Sequence, residues 1–379
     1  MIDNFIIDLV ITENCNLKCK YCYETQRNIN MTEENFDHFY SVTLRQLKKL
    51  YDFNTYSLHF FGGEPLLNFN LIKYVVTIIK KDSNCIDIGI VSNGLLLNDE
   101  INNYCNENNI NISISFDGLG NKFNRVDING NSTYDKYKNN KTFTDTCKYA
   151  HLTIDPKTAP ILDEIMIDLV ENWNIYGIDF SLVRDDVWTK EDIINYKNMI
   201  DRLGDKWVEY IEKGIPIGGG LFTLAVKDYL SFKINNYKRN FSCFSGYNGV
   251  AVMPNGDVYP CTRYGSNREL PIIENDIINY NNYEFFQQEI LNPKEIKKCK
   301  ECVLYNYCNT GCKYSQIKNN YEPIDSICTL YKINFKKAFE IHNKLKDNQL
   351  WLNSIQLWTT HYPKGIVASE KELSSPDSV

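Results

Sequence analysis

At 379 residues the chain is longer than a typical single domain and suits two, and a hydrophobic share of 43% allows a large core. A net charge of −7 with no long basic run argues against a nucleic-acid groove. No apolar stretch reaches bilayer length and the N-terminus lacks an export-signal pattern, so a cytoplasmic protein without membrane partners is expected; thirteen Cys then point to metal or redox chemistry, not to disulfides.

The first half alternates strand-like and helix-like runs. Strands are predicted at Phe5–Ile11, Tyr56–Phe61, Ile86–Val91, Ile112–Phe116, Lys148–Ile154 and Ile178–Val183. Apolar residues at helical spacing mark Thr32–Leu50, Leu71–Lys81, Asp99–Asn106 and Ile161–Trp173, with Thr32 placed as an N-cap. This order predicts an α/β fold with a parallel sheet and right-handed crossovers, six units making a partial (β/α)6 TIM-like barrel. Ligand sites of such folds lie at the carboxyl ends of the strands. Four candidate loops fall there: Cys15-x3-Cys19-x2-Cys22, Gly62-Gly63-Glu64-Pro65, Ser92-Asn93-Gly94 and Asp117-Gly118.

Three thiolates spaced as Cys15, Cys19 and Cys22 can close on one iron–sulfur cubane; with four ligands needed, one iron stays open to an outside molecule. Zinc is the plainer alternative, although zinc sites usually pair C-x2-C motifs. Gly62 and Gly63 allow close backbone approach, while Gly-Gly-Glu-Pro and Asn-Gly are also ordinary turn formers.

Downstream, Lys190–Gly214 and Leu221–Ile234 read as helices. Gly218-Gly219-Gly220 between them lacks a following Lys-Ser or Lys-Thr and reads as a turn, not a phosphate loop. Asn255-Gly256 between β-prone runs predicts a hairpin. Around it stand seven Cys: Cys243, Cys261, Cys299, Cys302, Cys308, Cys312 and Cys328. Two zinc ions and two iron–sulfur clusters both fit that spacing. Cys85, Cys105 and Cys147 read as small buried hydrophobes and His59 as a core histidine. Phe335–Leu345 is expected to be helical, the segment with Trp351, Leu352, Ile355, Leu357 and Trp358 to pack on the body, and the last dozen residues to be disordered.

The spacing C-x3-C-x2-C, with Tyr21 before the third Cys, resembles the radical S-adenosylmethionine (SAM) enzymes. So do Gly62-Gly63-Glu64-Pro65 after strand two and the run Ser113–Gly118 continuing to Asn124-Arg125-Val126-Asp127. The resemblance covers roughly residues 5 to 185. It implies that Cys15, Cys19 and Cys22 hold a catalytic [4Fe-4S] cluster whose open iron takes the amino and carboxylate groups of SAM. An electron then releases a 5′-deoxyadenosyl radical. Tyr21, Gly62, Gly63, Glu64, Ser92, Asn93, Ser115 and Asp117 would contact SAM, with Glu64 on its amino group and the hydroxyl, amide and carboxylate side chains on ribose and carboxylate.

The order C…G-x4-C…C-x2-C-x5-C-x3-C…C is similar to the SPASM extension of these enzymes, which carries two auxiliary [4Fe-4S] clusters. The resemblance gives Cys299, Cys302, Cys308 and Cys328 to an outer cluster, and Cys243, Cys261 and Cys312 to an inner one that lacks a fourth Cys. Three clusters are therefore expected. The domains would be a barrel at 1–190, a helical connector at 191–240, the Cys-rich domain at 241–335 and a helix and tail at 336–379. Such enzymes mostly modify peptides. In sulfatase maturases an Asp after the second SPASM Cys is the base; here Thr262-Arg263-Tyr264 follows Cys261. The expected activity is cross-linking of a ribosomal precursor peptide, a thioether first, with C–C or C–O bonds, formylglycine formation and epimerisation as alternatives. An N-terminal leader-binding domain is not expected within the fourteen residues before Cys15, so a separate leader-binding protein is a candidate partner, beside a flavodoxin- or ferredoxin-like electron donor. A zinc-holding interaction scaffold is the reading from another class.

Overall fold

The computed structural model describes residues 4–184, 188–235, 243–291, 296–308 and 311–357. They form two compact units, one of residues 4–116, 121–147 and 243–291, the other of 117–120, 148–184, 188–235, 296–308 and 311–357.

The first unit is built on one eight-stranded sheet. Its parallel strands β1 (Phe5–Thr12), β2 (Tyr56–Gly62), β3 (Cys85–Ser92) and β4 (Asn111–Ile114) are neighbours in chain order. Alternate residues Phe5, Ile7, Leu9 and Ile11 of β1 are fully buried, as a strand with one covered face requires. Helix α1 (Glu33–His38) starts at Thr32, whose hydroxyl accepts from Asn35 N at 3.1 Å. It runs through a π-helical stretch, Phe39–Thr43, into α2 (Leu44–Tyr51). Helix α3 (Phe69–Ile79) buries Leu71, Ile72, Val75, Val76 and Ile79, one stripe at helical spacing; each such side chain stabilises the fold by about 1.5–3 kcal/mol. Helix α4 (Asp99–Glu107) is capped by Asn98.

The far edge of this sheet comes from distant sequence. Strand β7 (Gly249–Val252) lies parallel to β1, with Ile7 opposite Val250. The predicted hairpin joins it to β8 (Val258–Tyr259), with Met253 N donating to Asp257 O at 2.9 Å. Strands β9 (Ile273–Glu274) and β10 (Ile277–Ile278) complete the edge.

The second unit contains the parallel pair β5 (Tyr149–Ile154) and β6 (Gly177–Leu182). Helices α5 (Leu162–Trp173), α6 (Lys190–Glu212), α7 (Thr223–Asn235) and α11 (Asp325–Leu345) surround it, the labels α8 (Thr262–Asn267), α9 (Tyr280–Leu291) and α10 (Lys313–Lys318) falling between. A capping box of Thr189 and Asp192 opens α6, and Tyr196 on α6 donates to Asn334 Oδ1 on α11 at 2.8 Å. The Gly218–Gly220 run forms the turn expected from sequence only at its end, where Gly220 leads into Leu221 and Phe222. Gly218 pairs with Gly177 as a parallel bridge, and a Cβ on Gly219 would overlap Ile178 O. The glycines let a third backbone lie against β6, which a local reading of turn propensity does not foresee. Helix α12 (Gln349–Leu357) packs Trp351 and Ile355 into the core; Trp358 and the expected tail lie outside the described residues. Among the described residues no helix is long and apolar enough to cross a membrane.

His59 is not a buried core residue. It stands across from Asp8 in the β1–β2 register, Nδ1 3.4 Å from Asp8 Oδ1 and Nε2 3.8 Å from Asp87 Oδ2. The Asp8 hydrogen bond raises its pKa against partial burial, with Asp87 adding to the rise. A raised histidine pKa contributes stability that is complete below the unfolded value near 6.5 and is lost as pH climbs through the folded value. His59→Gln is therefore expected to cost on the order of 1 kcal/mol or less at pH 5.5 and still less at pH 9. Urea unfolding of both proteins at the two pH values checks this; a deficit that grows with pH contradicts it.

Candidate functional site

In the first unit the three loops from β1, β2 and β3 meet. Leu17 bridges Asp127, Lys18 N donates to Val126 O at 2.8 Å and Lys20 N to Asn124 O at 3.0 Å. The Cys loop is thus held against residues 124–127 as far as Lys20, and a turn closed by Cys22 N on Cys19 O at 3.2 Å leads to the third Cys. Cys15 and Cys19 are half-buried and Cys22 exposed. Leu17 N donates to Cys15 Sγ at 3.4 Å, and Asn93 Nδ2 lies 3.9 Å from it. Burial pushes the Cys15 thiol up to about 12, partly offset by the Leu17 N–H.

The glycines of Gly62-Gly63 serve the loop's own backbone. Gly62 has φ +141°, and a Cβ there would stand 2.1 Å from Thr12 O. At Gly63 a Cβ would stand 2.3 Å from Asn14 O and 3.0 Å from Cys15 Cβ. Gly63 N donates to Thr12 O at 3.0 Å and Glu64 N to Asn14 O at 2.8 Å. The second loop is therefore zipped to the first, immediately before Cys15.

Glu64 is fully buried and ties in the third loop. Its carboxylate accepts from Ser92 Oγ at 2.8 Å, Asn93 N at 2.7 Å and Leu66 N at 3.1 Å. A carboxylate has about four acceptor positions, so three protein donors leave room for one more. Burial pushes its pKa up to about 7, with those donors and Arg125 pulling the other way. Asn93 Nδ2 donates to Asn16 Oδ1 at 2.7 Å, joining β3's loop to the Cys loop. Ser115 is half-buried, and among the described residues its hydroxyl makes no hydrogen bond. Asp117 belongs to the second unit, where its carboxylate accepts from Thr153 N at 3.0 Å on β5.

Sequence reasoning passed over several neighbours of the Cys loop. The guanidinium of Arg125, a buried residue, lies 5.4 Å from the centre of the Tyr21 ring. Tyr23 Oη and Thr262 Oγ1 are 2.8 Å apart, and Arg263 lies 4.5 Å over the Tyr23 ring. Burial pushes Glu24 up to about 7, against the Ser266 and Tyr23 hydroxyls. Thr262 begins helix α8, with Cys261 at the position just before it. Only the identity of Thr262 after Cys261 was legible in advance; its partner lies 239 positions away.

Cys243 and Cys261 are half-buried in the first unit; the stretch before Cys243 lies outside the described residues. Cys299, Cys302, Cys308, Cys312 and Cys328 belong to the second unit and line one cavity of about 150 Å³. Arg184 shares that lining. Its guanidinium donates to Tyr331 Oη at 3.0 Å, and its Nε is buried without a hydrogen-bond partner. Asp185 and Asp186 beside it are outside the described residues. Cys105 and Cys147 are buried in the core as expected, and Cys85 is half-buried.

Among the described residues no three His, Cys, Asp or Glu converge as they would on a single metal ion. Thiolates around a cubane stand apart, since they surround a core of four irons and four sulfides and not a point. Five soft thiol donors around one cavity, with a buried guanidinium beside them, fit an anionic iron–sulfur cluster. The Cys15–Cys22 loop, three thiols long with Glu64, Asn93 and Ser115 at the same strand ends, fits a cluster with an open iron and a polar ligand beside it.

Comparison with known proteins agrees. Residues 9–146 match the radical SAM superfamily, and residues 243–303 an iron–sulfur cluster-binding domain, SPASM. The radical SAM cyclopropyl synthase TigE of Paramaledivibacter caminithermalis is 23% identical over 360 residues, 88% of this chain and 74% of its own. A cysteine-type anaerobic sulfatase-maturating enzyme of Clostridium novyi is 25% identical over 356 residues, 86% of this chain and 92% of its own. The structure of native anSMEcpe with bound AdoMet and Kp18Cys peptide shares the fold, with a TM-score of 0.71 at 19% identity, over 91% of this chain and 99% of that one. The chain is thus an enzyme of the radical SAM superfamily, using SAM and a [4Fe-4S] cluster, with a SPASM domain for auxiliary iron–sulfur clusters in its C-terminal part.

Proposed function

We propose that the enzyme is a maturase that cross-links a ribosomally made precursor peptide, with Cys15, Cys19 and Cys22 holding the SAM-binding cluster and Cys299, Cys302, Cys308 and Cys328 an auxiliary one. When bound, these groups supply a hydrogen-abstracting 5′-deoxyadenosyl radical and an acceptor for the second electron of an oxidation. The chain's own residues hold and orient. Gly62 and Gly63 lock the Cys loop, Glu64 and Asn93 fasten it to the end of β3, and the open acceptor position of Glu64 suits an ammonium group. Arg125 and Arg263 place positive charge over Tyr21 and Tyr23, beside the thiols.

One observation carries the choice of a cross-link over formylglycine formation. Where sulfatase maturases have a carboxylate base, this chain has Thr262, its hydroxyl hydrogen-bonded with Tyr23 at 2.8 Å. A threonine hydroxyl does not take up a proton at neutral pH. Joining a C–H carbon to a Cys sulfur removes two hydrogens, and a thioether is the first expectation. The similarity to a protein named as a cyclopropyl synthase supports C–C bond formation as the variant. The similarity to a sulfatase-maturating enzyme favours the second reading, formylglycine formation.

The test is mass spectrometry of short peptides encoded beside this chain, after incubation with the reconstituted enzyme, SAM and dithionite. Loss of two hydrogens together with loss of one alkylatable Cys is the expected product. The same loss with every Cys still alkylatable points to C–C or C–O bonds. Unchanged mass, with deuterium taken from solvent, means epimerisation and overturns the proposal; so does conversion of Cys in a sulfatase peptide alone.

A further inference from the structure

We infer that Arg184, which follows the end of β6, is a positioning residue for the auxiliary cluster that Cys312 ligates, its fixed charge stabilising the reduced form. The inference rests on the reading that the thiols of the second unit hold cluster iron.

Three observations converge. The first is place. Arg184, Cys308 and Tyr331 line both the five-thiol cavity and a second cavity of about 120 Å³, which Asp179 and Ser181 of β6 also line. The guanidinium therefore forms part of the wall between the thiols and a polar chamber. The second is bonding. Arg184 donates to Tyr331 Oη at 3.0 Å on α11 and to the Cys312 thiol at the start of α10. Tyr331 thereby fixes the fork against the sulfur. The third is charge. Arg stays protonated in proteins, and among the described residues no carboxylate lies within ion-pair reach of this one. A buried cation is costly unless an anion pairs with it. Its neighbours are a phenol and a thiol, neutral until the thiol becomes a metal-bound thiolate. Cluster ligation places an anion at the Cys312 sulfur, within reach of the guanidinium.

The consequence follows from electrostatics. One-electron reduction adds a negative charge to the cluster, and an adjacent guanidinium, bonded to a ligand sulfur, favours that state. Without the charge the reduced form loses ground. A tenfold drop in the ratio of reduced to oxidised cluster moves the midpoint about 59 mV to the negative.

The experiment is an EPR-monitored redox titration of the reconstituted full chain with Cys15, Cys19 and Cys22 changed to Ala, so that only auxiliary clusters contribute. Cys312→Ala identifies the signal concerned. Arg184→Gln is expected to move that midpoint to the negative by about the tenfold amount, with iron content unchanged. Arg184→Lys keeps the charge and is expected to stay nearer the wild type. An unshifted Arg184→Gln midpoint at full iron overturns the inference, as does an Arg184→Lys shift equal to that of Gln. Should Arg184→Gln lose its cluster, Arg184→Lys decides: retained iron with a near wild-type midpoint upholds the role, and anything else overturns it. Absence of auxiliary iron in the parent would sink the ligand reading itself and the inference with it.

Discussion

Changing Cys15, Cys19 and Cys22 together to Ala is expected to abolish SAM cleavage and to remove about four of about twelve irons per chain after anaerobic reconstitution. The loop has no other work that would explain such a loss. Its three thiols are presented beyond the end of β1 on a loop held by backbone bonds to residues 124–127, and those bonds do not involve the sulfurs. The substitution should leave the fold in place, because Leu17, the loop's buried apolar residue, is untouched. Iron, sulfide and zinc counts on wild type and variant, with chromatographic detection of 5′-deoxyadenosine, decide the matter. A wild-type count near four with zinc making up the rest would leave a radical enzyme without auxiliary clusters. Zinc alone, with no SAM cleavage, would end the radical assignment for this chain.

The second large effect is expected at a residue that carries no functional group. Gly63→Ala places a methyl group 2.3 Å from Asn14 O and 3.0 Å from Cys15 Cβ. Both neighbours belong to the chain segment that positions the first thiol, and a carbonyl on a fixed backbone cannot swing aside as a side-chain tip can. Overpacking of this kind typically costs about 1–3 kcal/mol, occasionally more. Here the displacement is borne by Asn14 and Cys15, so the first cluster is expected to assemble poorly and SAM cleavage to collapse, while the second unit's thiols keep their iron. The selective loss is the informative part. Iron analysis combined with EPR of the auxiliary signals reads it directly, and wild-type turnover by Gly63→Ala would refute the zipped-loop account.

Much of the architecture was legible in the residues. All six predicted strands of the first half exist within a residue or two of their expected ends, the largest offset being Ile112–Phe116, which ends at Ile114. Their apolar, β-prone composition is a local property of each run. The Asn255-Gly256 hairpin was equally local. What local patterning cannot supply is partnership. Nothing in Gly249–Val252 announces that it will lie parallel to β1, more than 200 positions earlier, because a short apolar strand pairs with whatever edge the rest of the chain leaves open. The same holds at Gly218–Gly220: the expected turn begins only at Gly220, and the glycines before it bring a backbone against β6.

The functional residues divide along that line. The three-Cys loop, the Gly-Gly-Glu-Pro turn and the Cys-rich C-terminal part are covalent patterns, and their spacing alone determines how many thiols a short loop can offer to one metal centre. The amino-acid order therefore determined the class of chemistry. Only the tertiary structure decided what each polar group does in the free protein. Glu64 could be read as a ligand for an ammonium group, yet burial beside Ser92, Asn93 and Leu66 makes it first a clasp between loops. Thr262 acquires meaning from Tyr23, and Arg184 from Tyr331 and Cys312. Hydrogen bonds and charges act over a few ångströms of space whatever the sequence separation. The residues that tune a site therefore come into view only when the fold has brought distant segments together.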